Sequence, residues 1–183
     1  MSTSPWSTRA VILSRIILGL LAIAPMTGAD LKRHFDSTVS HLWSADKAQI
    51  YRTLAALVER GLATVTVVPG TNAPDRQEHH LTDDGRAALE SWLRSALDRQ
   101  PEREAFLARL FVADALDDDG VAALLERRRA AALEQLAVLE GIADATRPAA
   151  SRGERLRLAT LDHGLRHVRT ELEWLDALEE QLR

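Results

Sequence analysis

Residues 46–68 read DKAQIYRTLAALVERGLATVTVV, and the hydrophobic pattern of this stretch changes halfway along it. The apolar side chains of its first half recur at helical spacing, at Ile50, Leu54, Leu57 and Val58. Gly61 follows, at a place where glycine commonly ends a helix. The β-branched residues from 62 to 68 are typical of a strand. A helix over about residues 46–60 is therefore predicted to lead directly into a β-strand.

The sequence on both sides of this stretch predicts further short elements. In chain order they are helices over residues 10–24 and 28–37, the helix and strand above, a strand over residues 76–81 and a helix that runs to about residue 97. Thr27 and Thr82 precede two of these helices and are suitable N-caps. Residues 69–75 are rich in turn-forming residues and join the two strands. Three helices followed by a β-hairpin are the elements of a winged helix-turn-helix.

The apolar run at residues 16–24 has a second interpretation. Arg9 and Arg15 precede it, so it resembles the charged and apolar regions of a signal peptide. The run is much too short to span a membrane, which takes about 20 residues. We expect a buried first helix instead, because residues 10–24 suffice for about four turns and Pro25 then ends them.

Composition and charge narrow the classes of function. Cysteine is absent and aromatic residues make up 4% of the chain, so a core of Leu, Ala and Val is expected, which favours helices packed on helices. Without cysteine there is no signature of an oxidising compartment, and a cytoplasmic protein is expected. Residues 1–98 hold 10 Lys or Arg and 10 Asp or Glu, while residues 99–183 carry the whole net charge of −4. Nucleic-acid binding would therefore need a local basic patch.

The sequence after Pro101 predicts a second, all-α domain. We assign residues 1–98 to the winged-helix domain and residues 99–183 to helices over about 102–116, 120–146 and 154–182. The last helix carries a heptad seam at Leu158, Leu161, Leu165, Val168, Leu172, Leu175 and Leu182. Its partner is either the chain's own preceding helix or the same helix of a second subunit. The seam is the predicted dimer interface.

Polar residues around the third helix and the hairpin are the candidate DNA contacts. Once the apolar side chains face inward, Lys47, Gln49, Arg52 and Thr53 are left on the exposed face of that helix. Lys and Arg suit phosphate and guanine, Gln suits adenine, and a Tyr hydroxyl can bond a phosphate. The predicted DNA-binding set is Ser44, Lys47, Gln49, Tyr51, Arg52, Arg76 and His79.

No motif supports catalysis, so we expect no enzymatic activity and no cofactor. One alternative is a metal site, because His163 and His167 are spaced i, i+4 on a helical face that Glu171 continues. The metal-protease motif that such a pair would need is absent. No metal is therefore expected.

Specific residues of the first domain resemble the PadR-type transcriptional regulators over about residues 16–97. They are the stretch Gln49-Ile50-Tyr51 with Leu54 and Leu57, the Gly61-Leu62 helix exit, and the Leu81-Thr82 step followed by Gly85. Many members have glycine where this chain has Ala45 and Asp46. Asp46 would face the DNA phosphates unfavourably unless it caps the helix.

The resemblance implies a ligand-responsive repressor that acts as a homodimer on double-stranded DNA. It also implies DNA contacts for Tyr51 and Arg76, and dimerisation through the helical C-terminal domain. A two-fold dimer would present its recognition helices about 34–36 Å apart, to a pseudo-palindromic operator. The effector is expected to be small and hydrophobic or aromatic, with Trp6, Trp43, Trp92 and Trp174 as candidate pocket residues. The competing interpretation is a helical protein–protein adaptor that uses the heptad seam and binds no DNA.

Overall fold

The computed structural model describes residues 8–40, 42–69, 75–97 and 104–183. The chain divides into two compact units, Met1–Asp98 and Arg99–Arg183. Within the described ranges, every helix is too short or too polar to cross a lipid bilayer.

The N-terminal unit combines helices with a small antiparallel sheet. Its elements are α1 (Thr8–Leu21), β1 (Met26–Thr27), α2 (Gly28–His34), α3 (Lys47–Glu59), β2 (Ala63–Val68), β3 (Arg76–Leu81) and α4 (Asp83–Arg94). A π-helical turn, Phe35–Val39, extends α2. The predicted helices and hairpin are confirmed, with ends shifted by a few residues. The two-residue strand β1 is too short to leave a periodic pattern, and the sequence did not predict it.

The apolar run near the start of the chain forms the buried side of α1. Ile17 and Leu18 are fully buried, and they pack with Leu31, Ile50 and Leu54 in one core cluster. The helix ends at Leu21, three residues earlier than predicted, and residues 22–24 form a turn before Pro25. The prediction of a buried helix over this run is confirmed.

The corner between α3 and β2 is joined to the start of α4. Gly61 has a φ of +68°, a left-handed conformation that glycine adopts without strain. The hydroxyl of Thr82 donates a 2.7 Å hydrogen bond to the Gly61 carbonyl oxygen. A Cβ atom on Gly85 would lie 2.0 Å from the carbonyl oxygen of Leu62, so only glycine fits there. The end of α3 at Gly61 and Leu62 and the start of α4 at Thr82 and Gly85 therefore meet at one junction.

The sheet has the order β1-β3-β2, so β3 is its central strand. His79 on β3 pairs with Met26 on one side and with Val65 on the other. Because side chains alternate between the faces of a strand, residue 79 faces the core while residues 78 and 80 face away from it.

The burial of His79 contradicts its predicted role in DNA binding. Its side chain is only 6% exposed, and its Nδ1 atom is buried without a hydrogen-bond partner. Burial is the main cause that lowers the pKa of His79, and the adjacent His80 lowers it further. A side chain buried to this extent on the core side of β3 is not available to a DNA phosphate.

The C-terminal unit is entirely helical over its described residues. It contains α5 (Ala105–Phe111), a 3-10 turn (Ala113–Ala115), α6 (Asp118–Ala145) and α7 (Arg152–Leu182). The 3-10 turn divides the region predicted as one helix over about 102–116, of which residues 102 and 103 lie outside the described ranges. Asp117 caps α6, and Ser151 forms a capping box with Glu154 at the start of α7.

The heptad seam of α7 packs inside the single chain. Leu161, Val168 and Leu175 are 5%, 1% and 0% exposed. The first two lie in a cluster with Ala132 and Leu139 of α6, which shows that the helix partner is the chain's own α6. The predicted dimer interface is therefore wrong for these three residues.

The other seam residues also offer little to a second subunit. Leu165 and Leu172 are partly buried against the same cluster, and Leu158 is partly buried. Leu182 alone among the seam residues is largely exposed, at 58%. The seam of α7 therefore packs against α6, a helix of comparable length. Apolar residues of α6 such as Ala132 and Leu139 cover it.

Two neighbouring arginines of α6 bind acidic residues of α7. The Arg128 Nε atom donates a 2.6 Å hydrogen bond to Glu171, and the guanidinium lies 5.3 Å from the ring centroid of Phe106. Arg129 bonds Asp176 at 2.6 Å and pairs with Glu179 at 3.0 Å. These pairs fix the register of the two helices beside their apolar seam.

An internal seam predicts a difference between two leucines of α7. Replacing the buried Leu175 by Ala removes core contacts, and we expect it to lower the free energy of unfolding by about 2–5 kcal/mol. Leu156→Ala is the matched control, because this side chain on the same helix is 59% exposed. It should change stability by less than about 0.5 kcal/mol. Urea denaturation followed by circular dichroism measures both values, and equal effects would contradict the internal seam.

The buried imidazole of His79 predicts a stability that depends on pH. Because the pKa of His79 is lowered in the folded state, the unfolded chain binds this proton more readily than the folded one. Stability should therefore be complete above about pH 6.5 and decrease as the pH falls toward the folded pKa. Urea titrations between pH 8 and pH 5 should show a steeper decrease for wild type than for His79→Gln. A His163→Gln control should keep the wild-type slope, and a shared slope in all three would contradict the assignment to His79.

Candidate nucleic-acid interface

A complete capping box holds the first turn of α3. The carboxylate of Asp46 accepts a 2.7 Å hydrogen bond from the backbone N–H of Gln49, and the Gln49 side-chain oxygen accepts one of 3.0 Å from the N–H of Asp46. Asp46 therefore caps the helix, which gives this carboxylate a structural role beside a basic face. The same bond occupies the Gln49 amide oxygen. Only the NH2 group of Gln49 remains to contact a base, whereas pairing with adenine uses both groups.

The exposed side of α3 carries most of the predicted contacts. Lys47, Gln49, Tyr51 and Arg52 are all exposed, and so is Ser44 before the helix. Thr53, in contrast, is 5% exposed, and its hydroxyl bonds the Gln49 carbonyl oxygen at 2.8 Å. Its expected place on the outer face is wrong, because residues 50, 53, 54 and 57 share the inward side of the helix.

A surface depression of about 430 Å³ lies between α2, its π-helical extension and the start of α3. Ser44 and Gln49 both line it, together with Lys32 and Asp36. Lys32 forms an ion pair with Asp36 one turn along. Its charge is thus partly offset within the same segment, and the cations of α3 carry more of the local positive charge.

The phenol of Tyr51 packs against the first residue of α2. A Cβ atom on Gly28 would lie 2.6 Å from Tyr51 Cζ, 2.8 Å from Cε1 and 3.0 Å from the hydroxyl oxygen. The ammonium of Lys47 lies 5.8 Å from the centroid of the same ring, within reach of a cation–π interaction. Tyr51 is nevertheless 43% exposed, so the ring rests on the protein while part of it faces solvent.

The hairpin places one further cation on the same unit. Arg76 opens β3, is exposed, and pairs in register with Val68 near the end of β2. Its neighbour Glu78 lies within 3.3 Å of the imidazole of His80. Residues 70–74, which join the two strands, lie outside the described ranges. Arg76 is the predicted hairpin contact that the structure leaves accessible to a ligand.

The described tryptophans are divided between the two units. Trp43 packs against the N-terminal core, and Trp92 lies on α4 with 36% exposure. Trp174 of α7 meets the ring of Phe106 edge-on, with 6.3 Å between the ring centroids. Trp6 lies outside the described residues. The effector pocket formed by these four tryptophans therefore stays a prediction.

A larger groove of about 830 Å³ lies within the C-terminal unit. Its apolar walls include Leu110, Leu116, Val121, Leu125 and Leu178. Four of its five charged lining residues are acidic, namely Asp114, Asp118, Glu126 and Glu179, and the fifth is Arg183. Periodicity did not reveal this groove, because its lining comes from three separate segments.

His163, His167 and Glu171 are the residues of the alternative metal site. His163 and His167 are stacked, with ring planes 4° apart and centroids 6.3 Å apart, and both are exposed. Glu171 is engaged by Arg128 of α6. Among the described residues, no group of three or more His, Asp or Glu side chains is arranged to hold a metal ion.

Sequence reasoning missed two parts of this surface. The capping box could have been found, because Asp46 and Gln49 have the required spacing. The packing of Tyr51 on Gly28 has no comparable signal, because it joins two helices that are separated by a loop. Only the fold shows that this glycine matters.

Family models match the chain in two parts. The model described as the transcriptional regulator PadR-like family matches residues 17–91, and the model described as the virulence activator alpha C-term matches residues 102–183. The Mycobacterium tuberculosis protein named Probable transcriptional regulator Rv1176c is 31% identical, covering 93% of this chain and 97% of the relative. The Bacillus subtilis Negative transcriptional regulator PadR is 35% identical over 45% of each chain.

Solved structures share the fold over nearly the whole chain. The crystal structure of Bacillus subtilis PadR in complex with operator DNA has a TM-score of 0.83 at 22% identity, covering 94% of this chain and 99% of that one. The Vibrio cholerae virulence activator AphA has a TM-score of 0.75 at 24% identity, covering 93% and 97%. The predicted architecture, a winged helix followed by long helices, is thus confirmed. Because the family model and a relative matched over nearly its full length agree, this chain belongs to the PadR-like family of DNA-binding transcriptional regulators.

Proposed function

We propose that this protein is a repressor that binds a pseudo-palindromic operator as a homodimer and leaves it when a small hydrophobic ligand binds. The observation that carries the proposal is the exposed set Lys47, Tyr51 and Arg52 on α3, in the same unit as Arg76 on the hairpin. These side chains offer positive charge and hydrogen-bond donors. DNA presents the matching phosphate oxygens and base acceptors.

Each contact has a distinct expected role. Tyr51 bonds a phosphate, and Arg76 acts on the backbone mainly through its charge. Arg52 faces the groove and is the candidate for guanine. Ser44 and Lys47 lie where a phosphate passes the start of α3, and Gln49 contributes its NH2 group. Residues 1–98 then form the DNA-binding domain, and residues 99–183 the dimerisation domain.

The sign of regulation rests on a relative. The Bacillus subtilis protein that is 35% identical over its matched part is named a negative transcriptional regulator, which favours repression. The Vibrio cholerae structure of the same fold is named an activator, so the fold alone does not set the sign. A reporter gene behind the chain's own upstream region distinguishes the two. The cytoplasm is the proposed place of action, because a repressor must reach DNA.

A homodimer needs a surface other than the internal seam. Around α5 the C-terminal unit exposes four apolar side chains: Phe111 at 91%, Val112 at 63%, Leu107 at 50% and Leu116 at 48%. A nearly fully exposed Phe is costly in water, and several large apolar side chains exposed along one short segment suit an interaction site. We assign this patch to the contact between two copies, since one two-fold contact would bury it on both.

The acidic groove of the C-terminal unit suits the proposed effector in size and polarity. Its volume lies in the range of small-molecule sites, about 300–1,000 Å³, and leucines form its walls. Bacillus subtilis PadR has been solved with p-coumaric acid, a carboxylic acid. In this chain Asp114, Asp118 and Glu126 would repel an anion. A neutral or cationic hydrophobic compound is therefore the proposed effector class.

The adaptor interpretation loses its main support. It depended on an apolar seam of α7 that is free to bind another protein. Leu161, Val168 and Leu175 are buried against the chain's own helices instead. No other observation favours it over DNA binding.

Three substitutions test the DNA surface. Arg76→Ala should weaken binding similarly on all sequences and lower the salt slope by about one unit, because one phosphate contact is lost. Arg52→Ala should cost about 1–3 kcal/mol and relax the preference at one base per half-site. Tyr51→Phe should weaken binding without changing sequence preference. Titrations at several salt concentrations, on the upstream DNA and on scrambled DNA, measure these effects.

Arg166→Ala is the matched control, because Arg166 is an exposed arginine of the C-terminal unit. It should bind DNA like wild type, and thermal melts should show that all variants fold. Wild-type affinity in the folded Tyr51, Arg52 and Arg76 variants would disprove the proposed surface.

The dimer proposal predicts that one exposed residue controls association. Phe111→Glu should shift the protein from dimer to monomer in sedimentation velocity, since a charge would enter an apolar contact. It should not unfold the chain, because the side chain is already 91% exposed. Val138→Glu is the control, as Val138 is 54% exposed on α6. A Phe111→Glu protein that remains a dimer would show that the copies meet elsewhere.

A further inference from the structure

We propose that Gly28 is a positioning residue for DNA binding, which holds the phenol of Tyr51 in place by the absence of its own side chain. The proposal rests on the proposed function, because it assumes that Tyr51 touches DNA. It adds a residue that makes no contact with DNA itself and that lies on a different helix from the contact it controls.

The geometry at Gly28 leaves no room for a Cβ atom. Such an atom would lie 2.6 Å from Tyr51 Cζ and 2.8 Å from Cε1, closer than real Cβ contacts. Those two ring atoms stand next to the hydroxyl, which would itself be only 3.0 Å away. A side chain at residue 28 would therefore displace the polar end of Tyr51, the end that is proposed to bond a phosphate.

Backbone conformation does not explain the glycine. Gly61 is the glycine with positive φ among the described residues, so Gly28 has an ordinary φ that alanine can adopt. Alanine is also the better helix former. Gly28 opens α2 and is buried, and close approach of the aromatic ring is what requires it.

The core fixes both sides of this contact, so the ring rather than the backbone has to move. Leu31 of α2 and Ile50 and Leu54 of α3 are at most 1% exposed and belong to the same core cluster. Tyr51 is the side chain with room to move, because it is 43% exposed and can rotate toward solvent. Rotation would also remove the ring from Lys47, whose ammonium lies 5.8 Å from its centroid.

Tyr51 is the one tyrosine of the sequence, which makes its ring directly observable. In protein labelled with 13C-tyrosine, the NMR spectrum contains ring signals from this residue alone. We expect Gly28→Ala to shift those signals strongly in the absence of DNA. Gly19→Ala is the matched control, because a Cβ atom on that glycine of α1 would meet nothing within 4 Å. Its tyrosine signals should stay at the wild-type positions.

DNA affinity gives the second readout. Gly28→Ala should lose about tenfold or more in affinity, as Tyr51→Phe does when a hydrogen bond to a charged phosphate is removed. Gly19→Ala should bind normally. In a Tyr51→Ala background the clash is absent, so adding Gly28→Ala should cause no further loss. A general folding defect would instead weaken binding in both backgrounds, and circular dichroism melts report on folding independently.

The outcomes separate this proposal from the function on which it rests. Unchanged ring signals in Gly28→Ala would overturn the proposal. Shifted signals with wild-type affinity would overturn it too, while leaving DNA binding through other residues intact. If the wild-type protein does not bind its upstream DNA specifically, the proposed function fails and the role of Gly28 fails with it. Shifted signals, lost affinity and no added loss in the Tyr51→Ala background together support the proposal.

Discussion

The carbonyl oxygen of Leu62 occupies the place that a side chain on Gly85 would need, and the N-terminal unit depends on this close approach. It lets the start of α4 pack directly on the corner where α3 turns into β2. The hydroxyl of Thr82 binds the Gly61 carbonyl oxygen at the same point. β2 begins directly after Leu62, and β3 ends directly before Thr82, so both ends of the hairpin are held at this junction. The positions of α3 and the hairpin are thereby fixed relative to one another.

The sequence revealed the elements that have a local signal and missed those that depend on contact between distant segments. The apolar spacing of Ile50, Leu54 and Leu57 located α3, and β-branched residues located β2. The burial of His79 was missed, because its strand carries no clear alternation of polar and apolar residues. The candidate DNA contacts were inferred from helical phase and family resemblance. Phase was too coarse for Thr53, which lies at the edge of the buried face.

The C-terminal unit shows why a regular heptad pattern does not reveal its partner. Leu161, Val168 and Leu175 would suit a second subunit as well as they suit α6. The charged residues beside the seam indicate which partner it has, because Arg128 and Arg129 of α6 form ion pairs with acidic residues of α7 in the same chain. Helix pairing within one molecule then leaves a different surface, around Phe111, without partners from its own unit. Part of that surface lies on α5, and the helix predicted over about residues 102–116 did not reveal which of its apolar side chains stay exposed.

The sheet order has a consequence for handling the protein. β2 lies at an edge of the sheet, and its six residues, ATVTVV, include no charge. Val65 and Val67 are 42% and 56% exposed along it. Natural edge strands usually carry lysine, proline or a bulge that prevents another strand from pairing with them. β2 contains no lysine and no proline, so nothing in its sequence prevents another strand from pairing with it. This edge therefore favours strand-to-strand aggregation in concentrated solutions of the protein.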